Sequence, residues 1–434
     1  MAITHFTPQL ISRGNGRSAV LSAAYRHCAK MSHEAEARTV DYSNKKNLAH
    51  EEFLLPADAP KWALDMIADR SVAGAAEAFW NKVEAFEKRN DAQLAKEFIV
   101  ALPVELTRDQ NIALVQQFVS EQVLARGQVA DWVFHSDGIP DGAKSFGSDQ
   151  DQNRIGARNP HIHLMTTLRP LTQDGFGSKK VAVLGPDGAP LRTKTGKIQY
   201  KLWSGEKAEF LEQRQRWLDL QNHHLAMAGL EIRVDGRSYA ERSIDIEPTT
   251  HIGVAAKALQ RKASDAGTRI DLERLALHEA QRKKNAARIE QRPELVFDIL
   301  TSERSVFDQR DIAKVLHRYV DDPERFQRLL TRITESPECL KLTDETIDFA
   351  TGARVPARLT TRGMIRLEAE MISRANWLSG KSGFAVRDTV LETVFARHDR
   401  LSEEQRTAIE HVAGPERIAA IVGRAGAGKT TMMK

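Results

Sequence analysis

The sequence predicts an α+β fold for its first 254 residues, with consecutive strands paired antiparallel and helices against the sheet. Apolar and polar residues alternate from 159 to 167, which is the pattern of a half-buried strand. Predicted elements follow in the order strand, helix, helix, strand, helix, strand, strand. Because the last two strands are consecutive, they can pair as a hairpin, and helices are expected on one face.

The chain opens with a predicted strand at residues 3–11, which a turn-rich loop ends. Ser18 can cap the following helix, predicted from residue 19 to about residue 30. Tyr25 lies on this helix. Its ring either packs against its helical neighbours, which is the favoured reading when the residue is taken alone, or stands at the helix surface as a nucleophile.

The next elements lead to the centre of the predicted sheet. Residues 39–61 are polar and are predicted to be irregular. A helix with a broad apolar stripe is predicted at 75–88, and a strand at 97–102. The capping-box spacing at Thr107 predicts the start of another helix. Helices that can cover a sheet therefore alternate here with strands that can form it.

Histidines on two predicted strands form a candidate metal site. His161 and His163 are two residues apart on one strand, so their side chains share a face. His135 ends the preceding strand, 129–135, and hairpin pairing would bring it beside the other two. Three imidazole nitrogens are a ligand set for a divalent metal. A pair of ordinary, half-exposed histidines is the alternative.

The segment from 178 to 203 is basic and contains turn signals. It is predicted to be a hairpin or flap that meets phosphates, with a merely solvated hairpin as the alternative. Its basic residues are Lys179, Lys180, Arg192, Lys194, Lys197 and Lys201. A long helix follows at 206–228 and is capped by Gly229.

Three further regions are predicted after residue 254. Residues 255–293 are dense in charge and in helix-forming residues, which indicates a solvated helical linker. Residues 294–400 are expected to form a small, mostly helical domain, with a winged-helix module as one fit. Residues 401–434 begin with a helix, continue with an apolar strand at 418–422 and end in a glycine-rich loop.

That loop matches the phosphate-loop pattern G-x-x-x-x-G-K-T. The residues that carry the pattern are Gly423, Gly426, Gly428, Lys429 and Thr430. Backbone amides of such a loop cradle nucleotide phosphates, its lysine neutralises charge and its threonine binds Mg²⁺. Because the sequence stops at Lys434, before any further part of a nucleotide-binding sheet, ATP hydrolysis is not expected of this piece.

Composition limits the classes of protein further. A net charge of +4 does not predict nucleic-acid binding, so any basic surface must be local. Two cysteines give no disulfide framework and suit a reducing cytosol. There is no secretory signal pattern and no run of about 20 apolar residues that would cross a membrane. A cytoplasmic protein is therefore expected.

Several of these segments together resemble the MobA/MobL family of plasmid relaxases. The matching positions are residues 24–26, 97–106 and 159–163, together with His135. This resemblance covers residues 1–254 and implies a five-stranded antiparallel sheet with helices and with histidines at its centre, the HUH relaxase fold. From residue 401 the chain resembles the start of a RecD-like superfamily 1 helicase.

The resemblance implies an activity and roles for individual residues. One DNA strand would be nicked at an origin of transfer through a 5′-phosphotyrosine intermediate and later rejoined. By matching position, Tyr25 is implied to be the nucleophile, the three histidines the ligands of Mg²⁺ or Mn²⁺, and Glu97 a base or an orienting partner. Tyr239, in a polar segment, is the main rival nucleophile.

The resemblance also implies partners. These are single-stranded DNA at the origin of transfer, relaxosome accessory proteins, a coupling protein and a type IV secretion system, with ATP bound by a complete helicase part. The protein would be bacterial and cytoplasmic, and could be carried with the transferred strand. Two other functions stay open: a metal-dependent hydrolytic DNA nuclease, and a non-enzymatic DNA-binding module with a structural metal.

Overall fold

The computed structural model describes residues 4–137, 158–249, 273–347, 354–398 and 401–422. The chain divides into two compact units, Met1–Gly236 and Arg237–Lys434. The elements of the first unit are, in chain order, β1 (Phe6–Ser12), α1 (Ala19–Arg26), β2 (Lys30–His33), β3 (Arg38–Asp41), β4 (Leu48–Leu54), α2 (Lys61–Ile67), α3 (Val72–Phe86), β5 (Gln93–Ala101), α4 (Arg108–Gln122), β6 (Ala130–Asp137), β7 (Arg158–Thr166), β8 (Leu171–Thr172), β9 (Gly175–Phe176), β10 (Lys180–Ala182), β11 (Tyr200–Leu202) and α5 (Lys207–Met227).

The main sheet has five antiparallel strands in the order β1-β5-β7-β6-β4. The predicted α+β class and five-stranded antiparallel sheet are therefore confirmed. β7 is the central strand and pairs with β6, as the hairpin-like pairing predicted. In this register His135 lies opposite His161, and Val133 lies opposite His163, so the histidines of both strands share one face.

β4 forms the edge of the sheet in a region that was predicted to be irregular. It pairs with β6, and Phe53 is its one buried residue among partly exposed neighbours. An edge strand with so little apolar alternation has no clear sequence signature, because periodicity reveals a strand only when one of its faces is consistently buried. The prediction is wrong for this strand.

Helices cover both faces of the sheet, whereas the sequence predicted one covered face. On one face, α4 and α5 bury Phe118 and Trp217 against Trp132 of β6. On the other face, α1 and α3 pack near Met165 of β7, and Trp80 of α3 is buried there. Side chains alternate along each strand, so apolar residues on both faces require cover.

The helix boundaries follow local capping chemistry. The Ser18 side chain accepts a hydrogen bond from the Leu21 amide at the start of α1, and Thr107 forms the predicted capping box of α4. α1 ends at Arg26, earlier than predicted. Cys28, two residues later, adopts a φ of 50°, a left-handed conformation that does not continue an α-helix.

The second unit has its own apolar core. Its elements are α6 (Glu273–Gln291), α7 (Leu295–Thr301), α8 (Gln309–His317), α9 (Pro323–Thr334), β12 (Cys339–Thr343), β13 (Thr346–Ile347), β14 (Arg354–Val355), β15 (Arg358–Thr361), α10 (Arg362–Ser379), α11 (Asp388–Arg397) and α12 (Glu403–Val412). Residues buried in this core include Phe297, Ile312 and Ile333. Helices are followed by the antiparallel pair of β12 and β15, while the winged-helix assignment stays a prediction.

Two boundaries differ from the sequence-based expectation. The division at Gly236 precedes the predicted end at residue 254, because Ile244 and Ile246 pack into the second core. The predicted solvated linker contains α6, whose Ala286 and Ile289 are buried in that core. This apolar spacing of three residues is hidden among charged residues, so charge density alone misled the prediction. Residues 255–272 lie outside the described residues.

The last described residues, 401–422, contain α12, which begins with a capping box from Ser402 to Gln405. The apolar segment 418–422 was predicted to be a strand, but it has no regular structure and Val422 is exposed. A strand requires a neighbour for its backbone groups, and no strand of the described part lies beside it. The phosphate-loop residues lie outside the described residues.

Candidate active site

Three histidines from the two neighbouring strands lie together on one face of the sheet. The ring centroids of His135, His161 and His163 are 5.2 to 5.6 Å apart. One nitrogen from each ring can be chosen so that all three lie within 4.8 Å of one another. The antiparallel register of β6 and β7 therefore produces the juxtaposition that the spacing predicted.

Hydrogen bonds hold one nitrogen of each ring. The Nε2 of His135 donates to the Arg26 carbonyl at 2.5 Å, and the Nδ1 of His161 donates to the Asn159 carbonyl at 2.7 Å. The Nδ1 of His163 donates to the Glu97 carboxylate at 2.8 Å. Because these oxygens only accept, the other nitrogen of each neutral ring keeps a lone pair, as a metal ligand must.

Burial favours the neutral form of two of these rings. It lowers the pKa of His135 to about 4, and the nearby charges of His163 and Lys45 act in the same direction. Burial also lowers the pKa of His163, although its hydrogen bond to Glu97 opposes the shift. His135 is therefore neutral at pH 7 and, without losing a proton, can bind a metal ion.

Glu97 is fully buried and joins the cluster to two other elements. Its carboxylate accepts hydrogen bonds from Gln9 at 2.5 Å, Arg17 at 3.2 Å and Arg26 Nε at 2.5 Å, besides the bond from His163. Burial alone would raise the pKa of Glu97, but the His163 hydrogen bond and the Arg26 charge lower it to about 2. Such a carboxylate is a weak base, which favours the orienting role over the role of base.

Tyr25 lies at the surface of α1, with 47% of its area exposed, rather than packed against its helical neighbours. Its ring meets Tyr42 edge to face at 5.3 Å, and Lys45 Nζ lies 3.4 Å from its centroid. The next residue, Arg26, fixes this turn of the helix: its carbonyl accepts from His135 and its guanidinium pairs with Glu97. The tyrosine helix is thus attached directly to the histidine cluster.

His27 continues this attachment. The buried ring lies between two carboxylates, with Nδ1 2.7 Å from Glu51 and Nε2 2.7 Å from Asp131. Trp80 donates to the other oxygen of Asp131 at 2.6 Å. Burial lowers the pKa of His27, but Asp131 and Glu51 raise it more, to about 9. A charged imidazolium therefore links the C-terminal end of α1 to β4 and β6.

His27 should make the stability of the protein depend on pH, because its folded-state pKa lies above the ordinary value of 6.5. Its contribution to the free energy of unfolding should be fully present below about pH 6.5 and lost as pH rises through 9. The shift corresponds to about 3 kcal/mol. We expect the difference in unfolding free energy between the wild type and His27→Gln to shrink by that order between pH 6 and pH 10. Denaturant unfolding at several pH values measures it.

The control is His223→Gln, which removes an exposed histidine from α5 that forms no ion pair within the described residues. Such a surface substitution changes the unfolding free energy by about 0.5 kcal/mol or less, so this difference should stay small from pH 6 to pH 10. A wild-type to His27→Gln difference that stays constant from pH 6 to pH 10 would contradict a charged His27.

Sequence reasoning missed the residues that attach α1 to the sheet. Arg26 lies within the matching segment 24–26, but the resemblance implied no role for it. His27 and Lys45 had no spacing that linked them to the histidine strands, and Glu51 lies on the edge strand that was not predicted. Asp131 shares a face with His135 by strand alternation, which was the one available signal.

Other predicted residues lie elsewhere. Tyr239, the rival nucleophile, belongs to the second unit, where it packs against the core with the Arg242 guanidinium over its ring. In the basic segment, β10 pairs with β11 as a hairpin. Lys179 is bound to Glu87 at 2.8 Å, so it is less available for phosphates than predicted.

The remaining basic residues of that hairpin differ in their contacts. Arg192 donates to the Gly196 carbonyl, and Lys201 lies 3.8 Å from Glu209. The other three are exposed, and no ion pair joins them to any residue in the described part; they are Lys180, Lys194 and Lys197. This subset is the part of the predicted surface that is open to phosphates.

A five-stranded antiparallel sheet with a three-histidine cluster, and with a tyrosine on a helix clamped to that cluster, defines an α+β protein with a candidate metal centre. A family model described as the MobA/MobL family matches residues 17–262, more than half of the chain. The chain belongs to the MobA/MobL family. A second model, described as an AAA domain, matches residues 400–434.

Individual relatives agree with this family. The conjugal transfer protein TraA of Rhizobium radiobacter is 58% identical over 434 residues, which cover 100% of this chain and 38% of that protein, and TraA of Agrobacterium fabrum gives the same figures. The mobilization protein MobL of Acidithiobacillus ferridurans is 31% identical over 325 residues, covering 72% of this chain and 79% of that protein. The chain thus spans 38% of the length of the TraA relatives. Within the described residues, every helix is too short or too polar to cross a membrane.

Proposed function

We propose that the chain is the relaxase part of a conjugation protein, which nicks one DNA strand at a plasmid origin of transfer. The observation that carries the proposal is the attachment of Tyr25 to the histidine cluster through Arg26. A nucleophile and a candidate metal site are held on the same rigid scaffold, as in-line attack on a phosphate requires. The family and the names of its relatives support the same activity.

In the proposed reaction, Tyr25 Oη attacks the phosphorus of one phosphodiester while the bond from phosphorus to the 3′-oxygen breaks. The phenolic proton passes to solvent and the leaving 3′-oxygen takes a proton from water. The products are a 5′-phosphotyrosine and a free 3′-hydroxyl. One phosphate ester replaces another, so attack by a 3′-hydroxyl reverses the step without ATP.

The donor set fits a divalent cation. His135, His161 and His163 each present a nitrogen with a lone pair, and Glu97 orients His163 through its hydrogen bond. Three neutral ligands leave the charge of an ion undiminished. When bound, Mg²⁺ or Mn²⁺ would offset charge on the phosphate oxygens, and Mn²⁺ accepts nitrogen ligands more readily.

A cleft beside the Glu97 network offers a path for the DNA strand. Its volume is about 570 Å³, which is within the range of small-ligand sites. Arg17 and Lys96 line it together with Leu10 and Leu202, so cationic and apolar groups face the same space. A single strand presents both phosphates and bases, so a cleft with cationic and apolar groups suits it.

The direct test is a covalent adduct. The full chain is incubated with single-stranded oligonucleotides that tile the plasmid's own origin region, with Mg²⁺, Mn²⁺ or EDTA, and run on a denaturing protein gel. The label is placed at the 3′ end, because the downstream fragment carries the 5′-phosphotyrosine. We expect a labelled protein band that requires the metal.

The two alternative functions give different results in this assay. Cleavage without an attached band would support a metal-dependent hydrolytic nuclease. Binding without cleavage would support a non-enzymatic DNA-binding module with a structural metal. Either outcome, with binding of the origin strand established by gel shift, would overturn the transesterase proposal.

We also propose that residues 401–434 begin a nucleotide-binding helicase domain in proteins of the TraA length, where the loop at 423–430 would bind ATP. The match to an AAA domain model supports this. The predicted partners stay predictions: relaxosome accessory proteins, a coupling protein and a type IV secretion system. The cytoplasmic location and the transport with the transferred strand also stay predictions.

A further inference from the structure

Lys45 lies in the loop between β3 and β4, where its ammonium group contacts Tyr25 in two ways. Nζ lies 3.4 Å from the centroid of the Tyr25 ring. Nζ also donates a hydrogen bond to the Tyr25 carbonyl at 3.2 Å. Ring and backbone of one residue therefore fix the position of this cation.

Backbone contacts place the same ammonium group near the candidate metal centre. Lys45 binds the carbonyl of Tyr25, and the next carbonyl along the chain, that of Arg26, accepts the hydrogen bond from His135 Nε2. Leu48, three residues after Lys45, lies opposite His135 in the sheet. A phosphate that reaches both Tyr25 and the histidine cluster would therefore lie close to this cation.

Lys45 retains capacity for a substrate contact. An ammonium group has three donors, and the Tyr25 carbonyl accepts from one of them. No carboxylate of the described residues forms an ion pair with Lys45, in contrast to Lys179, which Glu87 occupies. A partly buried cation with unused donors beside a nucleophile is suited to bind an anionic oxygen.

We infer that Lys45 is a further catalytic residue, which binds the phosphate that Tyr25 attacks and stabilises the phenolate of Tyr25 during attack. This inference rests on the proposed transesterification. A phenolate ring carries more negative charge than a phenol ring, so a cation over its face favours the ionised form. The charge that develops on the phosphate oxygens is offset by the same group.

The test compares Lys45→Met, Lys45→Gln and Lys45→Arg with Lys46→Met, a matched change at the next residue of the same loop. Single-turnover formation of the covalent adduct is measured in the full chain, at DNA concentrations well above the Kd of each variant. We expect the rate to fall about 100-fold in Lys45→Met and Lys45→Gln. Lys45→Arg should recover part of this loss, and Lys46→Met should match the wild type.

Metal binding and DNA binding are measured on the same samples. Metal affinity should stay within about 3-fold of the wild type, since Lys45 is not a metal ligand. The Kd for DNA sets the saturating concentration, at which the rate is independent of any loss of affinity. An unchanged rate in Lys45→Met or Lys45→Gln, or an equal loss in Lys46→Met, would overturn the inference. Absence of an adduct in the wild type would instead overturn the proposed function.

Discussion

Tyr25→Phe should form no covalent adduct with origin DNA, while it should still bind that DNA and the metal. The substitution removes only the hydroxyl, so the ring contacts with Tyr42 and Lys45 persist. Without the phenolic oxygen the covalent adduct cannot form. We expect the rate of adduct formation to fall at least 1000-fold, or by about 4 kcal/mol. The adduct assay on a denaturing gel measures it.

Tyr42→Phe is the matched control, because Tyr42 packs edge to face against Tyr25 and loses the same group. Its adduct should form at a rate close to that of the wild type. Tyr239→Phe provides a second control for the rival tyrosine in the other unit. Two results would show that Tyr25 is not the nucleophile. One is a covalent adduct formed by Tyr25→Phe, and the other is the absence of an adduct in Tyr239→Phe.

The combined substitution His161→Ala with His163→Ala should remove most of the affinity for Mn²⁺. Two of the three clustered ligands are lost, and both lie on the central strand. Changes to partners that merely orient a ligand cost about 10- to 100-fold, so we expect a loss of at least 100-fold here. Isothermal titration calorimetry with Mn²⁺ measures it directly.

The control for this change is His223→Ala with His224→Ala, which removes two adjacent histidines from α5, outside the cluster. Its Mn²⁺ affinity should equal that of the wild type. Glu97→Gln should give an intermediate loss, about 10-fold or more, because an amide orients His163 less strongly than a carboxylate. Equal affinity in the double variant of the cluster and in the wild type would refute the ligand assignment.

Much of this site could be predicted from local sequence, because local spacing reports which side chains share a face of a strand. The alternation around His161 and His163 placed both on one face, and the consecutive strand placed His135 opposite them. The capping residues Ser18 and Thr107 were also correct, since a cap depends on residues within one turn.

What the sequence by itself determined was the α+β class, the central strand and the three histidines, since these follow from periodicities of a few residues. Only the tertiary structure decided how Tyr25 is held, because the contacts responsible join residues far apart in the chain. Arg26 meets Glu97 across 71 positions, and His27 meets Asp131 across 104. No local pattern encodes such pairs; the packing of α1 against the sheet creates them.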